Sequence, residues 1–83
     1  MNIKEIIASA GRNKHTIIIT AREKDGSVET REAEPYSYKQ TKDNELFLCY
    51  DISKQGMRSF IVHNIISVEE TENIFSPRWP IEV

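Results

Sequence analysis

The sequence predicts a mainly β domain, a small five-stranded antiparallel barrel that follows one short N-terminal helix. Three observations predict it: a helical spacing of isoleucines at the start, strand-like segments after it, and closely spaced turn signals between those segments. At 83 residues, of which 39% are apolar and 29% charged, the chain has the size of a single domain, 1–83. Closure into a barrel would protect the edge strands of so small a sheet.

The N-terminal segment, residues 1–11, is predicted to be a helix. Its apolar residues share one stripe: Ile3, Ile6, Ile7 and Ala10. Asn2 can cap the start, and Gly11 is expected just past the end. Because a helix this short is marginal alone in water, the stripe must pack on the rest of the domain or on a second subunit. Ile3, Ile6 and Ile7 are therefore candidate interface residues.

The next part of the chain is a predicted hairpin. Residues 15–22 are rich in β-branched side chains, and Asp25 with Gly26 supplies the positive φ of a tight turn. Residues 28–34 then alternate with a charged face outward. Pro35 cannot donate to a ladder, so we expect it at a sheet edge or a bend.

Three more strands are predicted in the second half of the chain: 45–51, 57–62 and 65–71. A turn at residues 53–56 is expected to return the second of these strands beside the first. The first is apolar on both faces, so we expect it at the centre of the sheet. The barrel would thus span 14–71, and the proline-containing segment 72–83 would be an irregular tail. An SH3-like or Sm-like barrel fits this order of elements.

Composition limits the classes of function. The net charge is −2 and the pI is about 5.6, whereas nucleic-acid-binding domains are usually basic, so any anion must be bound by a local patch. Cys49 is the only cysteine, which excludes an intramolecular disulfide and fits a reducing compartment. No apolar run approaches the roughly 20 residues that cross a bilayer, so we expect a cytoplasmic protein without a membrane partner.

Several short motifs follow one another in the chain: Arg31-Glu32-Ala33-Glu34-Pro35, Phe47-Leu48-Cys49-Tyr50-Asp51 and Arg58-Ser59-Phe60, then Ile65 and Phe75. In this order and spacing they resemble the WYL domains of bacterial and phage transcriptional regulators, over about residues 17–75. The resemblance implies an Sm-like barrel that senses a ligand or contacts nucleic acid, usually beside a helix-turn-helix domain.

The chain departs from that family at several positions. Glu45-Leu46-Phe47 stands where the family has its naming tripeptide. Ile61, His63 and Asn64 replace an arginine, an aspartate and a second arginine, so two cationic groups are absent. Eleven residues before the barrel are too few for a helix-turn-helix. We therefore expect a stand-alone, degenerate WYL-like domain, with a separate DNA-binding regulator as a candidate partner.

The candidate ligand-binding residues are Arg31, Tyr38, Tyr50, Arg58 and His63. Arg31 and Arg58 match the family's motifs, and a guanidinium suits phosphate or carboxylate; the alternative for Arg58 is an ion pair with a neighbouring strand. The tyrosines can stack on bases, or they pack within the barrel. His63 can respond to pH, or it caps a tight turn.

Two more aromatic residues leave alternatives open. Tyr36 and Tyr38 are expected on one face by strand parity, where they would form a stacking platform or a packed pair. Trp79 either folds back on the barrel or anchors in a partner's pocket.

Two functions stay open. The first is a WYL-like regulatory or ligand-sensing module, accessory to transcriptional regulation, that binds a small anionic ligand, a nucleotide or single-stranded nucleic acid. The second is a protein-interaction module without a small-molecule site, in which the isoleucine stripe and Trp79 hold a homo-oligomer together. The sequence offers no motif for an enzyme, a metal or a cofactor. Cys49 has no identifiable base beside it.

Overall fold

The computed structural model describes residues 2–83, which form one α-helix, five strands and a short 3₁₀ turn. The elements in chain order are α1 Ile3–Asn13, β1 His15–Arg22, β2 Val28–Gln40, β3 Glu45–Asp51, β4 Gly56–Ile61, the 3₁₀ turn Val62–Asn64 and β5 Ile65–Ile74. The strands form one antiparallel sheet in the order β4-β3-β2-β1-β5. The predicted mainly β architecture with one N-terminal helix is confirmed.

Strands β4 and β5 are the two edges of the sheet. Within residues 2–83 no ladder joins them, and the 3₁₀ turn carries the chain from one edge to the other. The predicted pairing of β3 with β4 is confirmed, and Phe47 lies directly opposite Phe60. Strand β3 was expected at the centre of the sheet, and this prediction is wrong. The middle strand is β2, which has β1 and β5 on one side and β3 and β4 on the other.

Helix α1 ends two residues later than predicted. Asn2 caps its start as expected, since the Asn2 side chain accepts a hydrogen bond from the Glu5 N–H at 2.9 Å. Lys14, with φ 54° and ψ 41°, provides the left-handed C-cap in place of Gly11. Gly11 is instead buried inside the helix. A Cβ there would lie 2.5 Å from Val83, so this glycine permits close approach of the C-terminal segment.

Strand β2 contains a bulge at Tyr36. Ala33 is the last residue of β2 that pairs with β1, so Pro35 lies where the strand bends away from β1, in agreement with its predicted place. The register to β3 shifts between Pro35 and Ser37. This extra residue reverses the alternation, so Tyr36 and Tyr38 lie on opposite faces and the prediction of a shared face is wrong.

The core lies between α1 and the inner face of the sheet. Its most buried members come from the helix and from alternate positions of the strands: Ile7, Ala10, Ile17, Ile19, Ala21, Ala33, Phe47, Cys49, Phe60, Ile65 and Val68. Burial of this apolar face stabilises the short helix, which would be marginal alone. No helix within residues 2–83 has the length and apolar character needed to cross a membrane.

The C-terminal segment, residues 75–83, folds back on the sheet beside Tyr36 and ends against helix α1 at Gly11. The Phe75 N–H donates to the Lys14 carbonyl at 3.0 Å, and the Glu82 N–H donates to the Tyr36 carbonyl at 2.7 Å. We call this segment the tail. It is irregular as predicted, although it begins later than residue 72 because β5 runs to Ile74.

Candidate functional site

Two arginines and three carboxylates meet on the inner face of the sheet. We call them the charged cluster: Glu23, Glu29, Arg31, Asp51 and Arg58. Four of them lie opposite core residues in the ladders: Glu29 pairs with Ala21, Arg31 with Ile19, Asp51 with Ala33 and Arg58 with Cys49. The apolar inner face therefore ends in a group of charges.

Arg58 is held by carboxylates from three directions. Its guanidinium hydrogen-bonds to Glu23 and to Glu29, and it lies 3.6 Å from Asp51 Oδ2. It also stacks on Phe60, 4.7 Å from the ring centroid. The Arg58 side chain is 18% exposed. The structure thus shows the alternative expected for Arg58, an arginine paired with carboxylates of its own chain.

Arg31 joins the same cluster through Asp51. Its Nε lies 3.5 Å from Asp51 Oδ2, and its NH2 donates to Glu29 Oε1 at 3.2 Å. The Asp51 side chain is only 2% exposed and also accepts hydrogen bonds from Ser53 and the Lys54 N–H. Two of the predicted ligand-binding residues, Arg31 and Arg58, are therefore brought together around one buried carboxylate.

The carboxyl groups of the cluster have displaced pKa values. The contact between Glu23 and Glu29 raises the pKa of Glu23. The same contact, together with Arg58, lowers the pKa of Glu29 to about 2. The pKa of Asp51 is lowered, although burial opposes this, because Ser53 and Lys54 donate to it. Three carboxylates face two guanidinium groups, so an anion would have to displace a carboxylate before it reached Arg58.

Tyr38 and His63 lie outside the charged cluster. The Tyr38 ring packs on Phe47 with a centroid distance of 5.6 Å, and the Lys4 ammonium lies 4.8 Å above it. Burial raises the pKa of Tyr38 to about 12. His63 is exposed in the 3₁₀ turn, and that turn has no side-chain cap. The structure does not unite these two residues with the arginines.

Tyr50 belongs to a second group, on the outer face of the sheet. The Arg78 guanidinium lies 3.9 Å above the Tyr50 ring and bonds to Glu34 at 3.2 Å. Trp79 contacts Tyr36 edge-on at 5.2 Å and Tyr50 at 6.3 Å between centroids. Of the two alternatives expected for Trp79, the structure shows the ring folded back on the barrel. It nevertheless remains 45% exposed.

Large apolar side chains are exposed around Tyr50. We call them, with Tyr50 itself, the tail surface: Tyr50, Ile52, Met57, Ile74 and Trp79. Tyr50, Ile52 and Ile74 line an open cleft of about 550 Å³ whose polar lining includes Glu32 and Glu34. Sequence reasoning found Tyr50 and Trp79 but missed Arg78, although its place beside Trp79 was a signal for this contact.

The isoleucine stripe of α1 covers the chain's own sheet. Ile7 is fully buried, and Ile3 and Ile6 are partly buried against the same core. The structure thus shows the intramolecular packing that was one of the two alternatives for this stripe. Its proposed role between subunits stays a prediction.

Cys49 lies in the core on β3. Burial is the main cause that raises the pKa of its thiol to about 12, so the thiol stays protonated at neutral pH. Among residues 2–83 no group of three or more His, Cys, Asp or Glu side chains has the geometry to hold a metal ion.

Comparison with known proteins identifies the fold. No protein-family model matches the chain, and no curated protein sequence matches it. Among solved structures the chain is similar to a segment of proteasome accessory factor B/C (PafBC) of Arthrobacter aurescens, with a TM-score of 0.75 and 19% identity over 94% of this chain. The match covers 13% of the PafBC chain. The chain therefore shares the fold of that segment of PafBC.

Proposed function

We propose that this chain is a regulatory binding module that senses a small anionic ligand, a nucleotide or a short single strand of nucleic acid. The observation that carries the proposal is the WYL-like fold, shared with a segment of PafBC over nearly the whole chain. A separate DNA-binding regulator is the partner that such a module would serve.

A binding role is favoured over a catalytic one. The single thiol, Cys49, is buried and its pKa is raised, so it does not supply a nucleophile. The two guanidinium groups of the charged cluster are paired with carboxylates. This pairing suits a structural or positioning role better than direct contact with a reacting substrate. We propose that the module works without a cofactor.

The test is a titration of the whole chain with mononucleotides, short single-stranded RNA and short single-stranded DNA, followed by calorimetry. We expect saturable binding of at least one of these anions, with an affinity that falls as salt is raised. The matching uncharged nucleoside serves as the control and should not bind. Failure of every anion to bind would refute the proposed ligand class.

The tail surface favours a second candidate, a homo-oligomer built through this face. Ile74 is 77% exposed. Met57 and Trp79 are each nearly half exposed, and both lie beside Tyr50. Clustered apolar side chains with an exposed tryptophan are typical of protein interfaces.

Light scattering measures the mass of the assembly directly. If two copies associate through the tail surface, the double variant Met57→Ser with Trp79→Ser should have the mass of one chain. The control is Val28→Ser, which removes an exposed apolar side chain at the start of β2. A monomeric wild-type chain, or an assembly unaffected by the double variant, would exclude this candidate.

A further inference from the structure

We propose that the anion binds in a pocket beside the charged cluster, where Arg22 and Lys24 receive the phosphate group of a small phosphorylated organic molecule. This inference rests on the proposed function and gives it a location and a ligand class. The pocket has a volume of about 310 Å³, at the lower end of the range for small-molecule sites, roughly 300–1,000 Å³. We call it the seam pocket, because it lies between the β1–β2 hairpin, which supplies Arg22 and Lys24, and the edge strand β4.

The walls of the seam pocket come from elements that are distant in sequence. Asn44, Ser59 and Asn64 line it from the β2–β3 turn, the edge strand β4 and the 3₁₀ turn. None of these three side chains makes a hydrogen bond within residues 2–83, so their polar groups are available to a ligand. Leu46 and Ile61 supply apolar surface for the body of the molecule.

Arg22 and Lys24 differ from the two arginines of the charged cluster in having uncompensated charge. Among residues 2–83, neither has a carboxylate within 4.0 Å, whereas Arg31 and Arg58 both do. The contact of the Arg22 guanidinium is a hydrogen bond to the Gly26 carbonyl at 3.2 Å. The local charge of the pocket is therefore positive although the whole chain is acidic.

Glu23, which also lines the seam pocket, is turned away by Arg58. Its carboxylate bonds to the Arg58 guanidinium, so it does not neutralise Arg22 or Lys24. This gives Arg58 a positioning role. Arg58 binds the carboxylate of Glu23, the residue between Arg22 and Lys24 in the sequence, and so keeps the pocket open to anions.

The arrangement favours a phosphate monoester over a monocarboxylate. A phosphate carries more negative charge and offers three acceptor oxygens, which matches two cations together with amide and hydroxyl donors. The apolar walls require an organic body, so inorganic phosphate alone should bind more weakly than a phosphorylated molecule of nucleotide size.

The test is calorimetric titration of the full chain with a mononucleotide, with inorganic phosphate and with the unphosphorylated nucleoside. The double variant Arg22→Gln with Lys24→Gln should weaken mononucleotide binding at least tenfold, because it removes two charge-assisted contacts. The matched control is Lys39→Gln with Lys54→Gln, two exposed lysines outside the pocket, and it should change the affinity by less than about twofold. Inorganic phosphate should compete with the mononucleotide, and the nucleoside should not.

The positioning role of Arg58 has its own readout. Arg58→Ala should weaken mononucleotide binding, because it frees the negative charge of Glu23. Addition of Glu23→Gln to that variant should restore binding, because the side chain at position 23 is then a neutral amide. Glu23→Gln alone should bind at least as tightly as wild type, which keeps the test informative if Arg58→Ala folds poorly.

The outcomes separate the two proposals. Mononucleotide binding that survives Arg22→Gln with Lys24→Gln would overturn the seam pocket while leaving the proposed function intact. Equal loss in the lysine control pair would show nonspecific attraction and would also overturn it. Absence of binding by every anion would overturn the proposed function and the seam pocket together.

Discussion

Removal of Arg58 should destabilise the fold as well as disturb the seam pocket. Arg58→Ala leaves Glu23, Glu29 and Asp51 without the cation that they share, and it also removes the contact with Phe60. Removing one partner from a largely buried ion pair costs roughly 3–5 kcal/mol. Because Arg58 retains 18% exposure and Arg31 still reaches Asp51, we expect the lower end, about 3 kcal/mol.

That loss is large for a chain of this size, whose total stability is about 4–12 kcal/mol. Urea unfolding followed by far-UV circular dichroism measures it through the shift in midpoint. A second variant, Arg58→Met with Glu23→Gln and Glu29→Gln, removes the unpaired charges and should recover at least half of the loss. An Arg58→Ala chain within about 0.5 kcal/mol of wild type would refute the view that the cluster is held together by this cation.

Three further outcomes are expected. Glu70 accepts hydrogen bonds from Asn13 at 2.9 Å and from Ser9 at 2.6 Å and contacts His15 at 2.7 Å, so Glu70→Gln should cost about 1–2 kcal/mol at pH 7. Since these bonds lower the pKa of Glu70, its contribution is present at neutral pH and is lost as pH falls through and below about 4.5, where wild type and variant should converge in urea unfolding. Phe47→Ala should cost about 3–5 kcal/mol by thermal unfolding, whereas a loss under about 1 kcal/mol would contradict its place in the core. Cys49 should react with a thiol reagent only in denaturant, because its thiol is buried and its pKa is about 12.

Local patterns predicted the elements well. The isoleucine spacing gave helix α1, the Asp25-Gly26 pair gave the first hairpin with Gly26 at φ 88°, and the return of β4 beside β3 followed from the turn between them. These features depend on residues close together in the chain, where side-chain periodicity and turn chemistry act directly.

Features set by distant parts of the chain were predicted less well. Gly11 was expected to end the helix, but the tail packs against it, and no local pattern carries that contact. The bulge at Tyr36 broke an alternation that parity alone predicts to continue. The carboxylates that hold Arg58 come from the β1–β2 hairpin and the end of β3, so the pairing depends on the bend of the sheet.

Because of the bulge, the residue that anchors the tail is not one that pairs the strands. In the ladder between β2 and β3, Pro35 pairs with Cys49 and Ser37 pairs with the adjacent Leu48, so Tyr36 has no partner on β3. Its carbonyl and its ring instead receive Glu82 and Trp79. Deletion of the single codon for Tyr36 would thus remove the anchor for the C-terminus and leave the partners of β2 and β3 on either side unchanged.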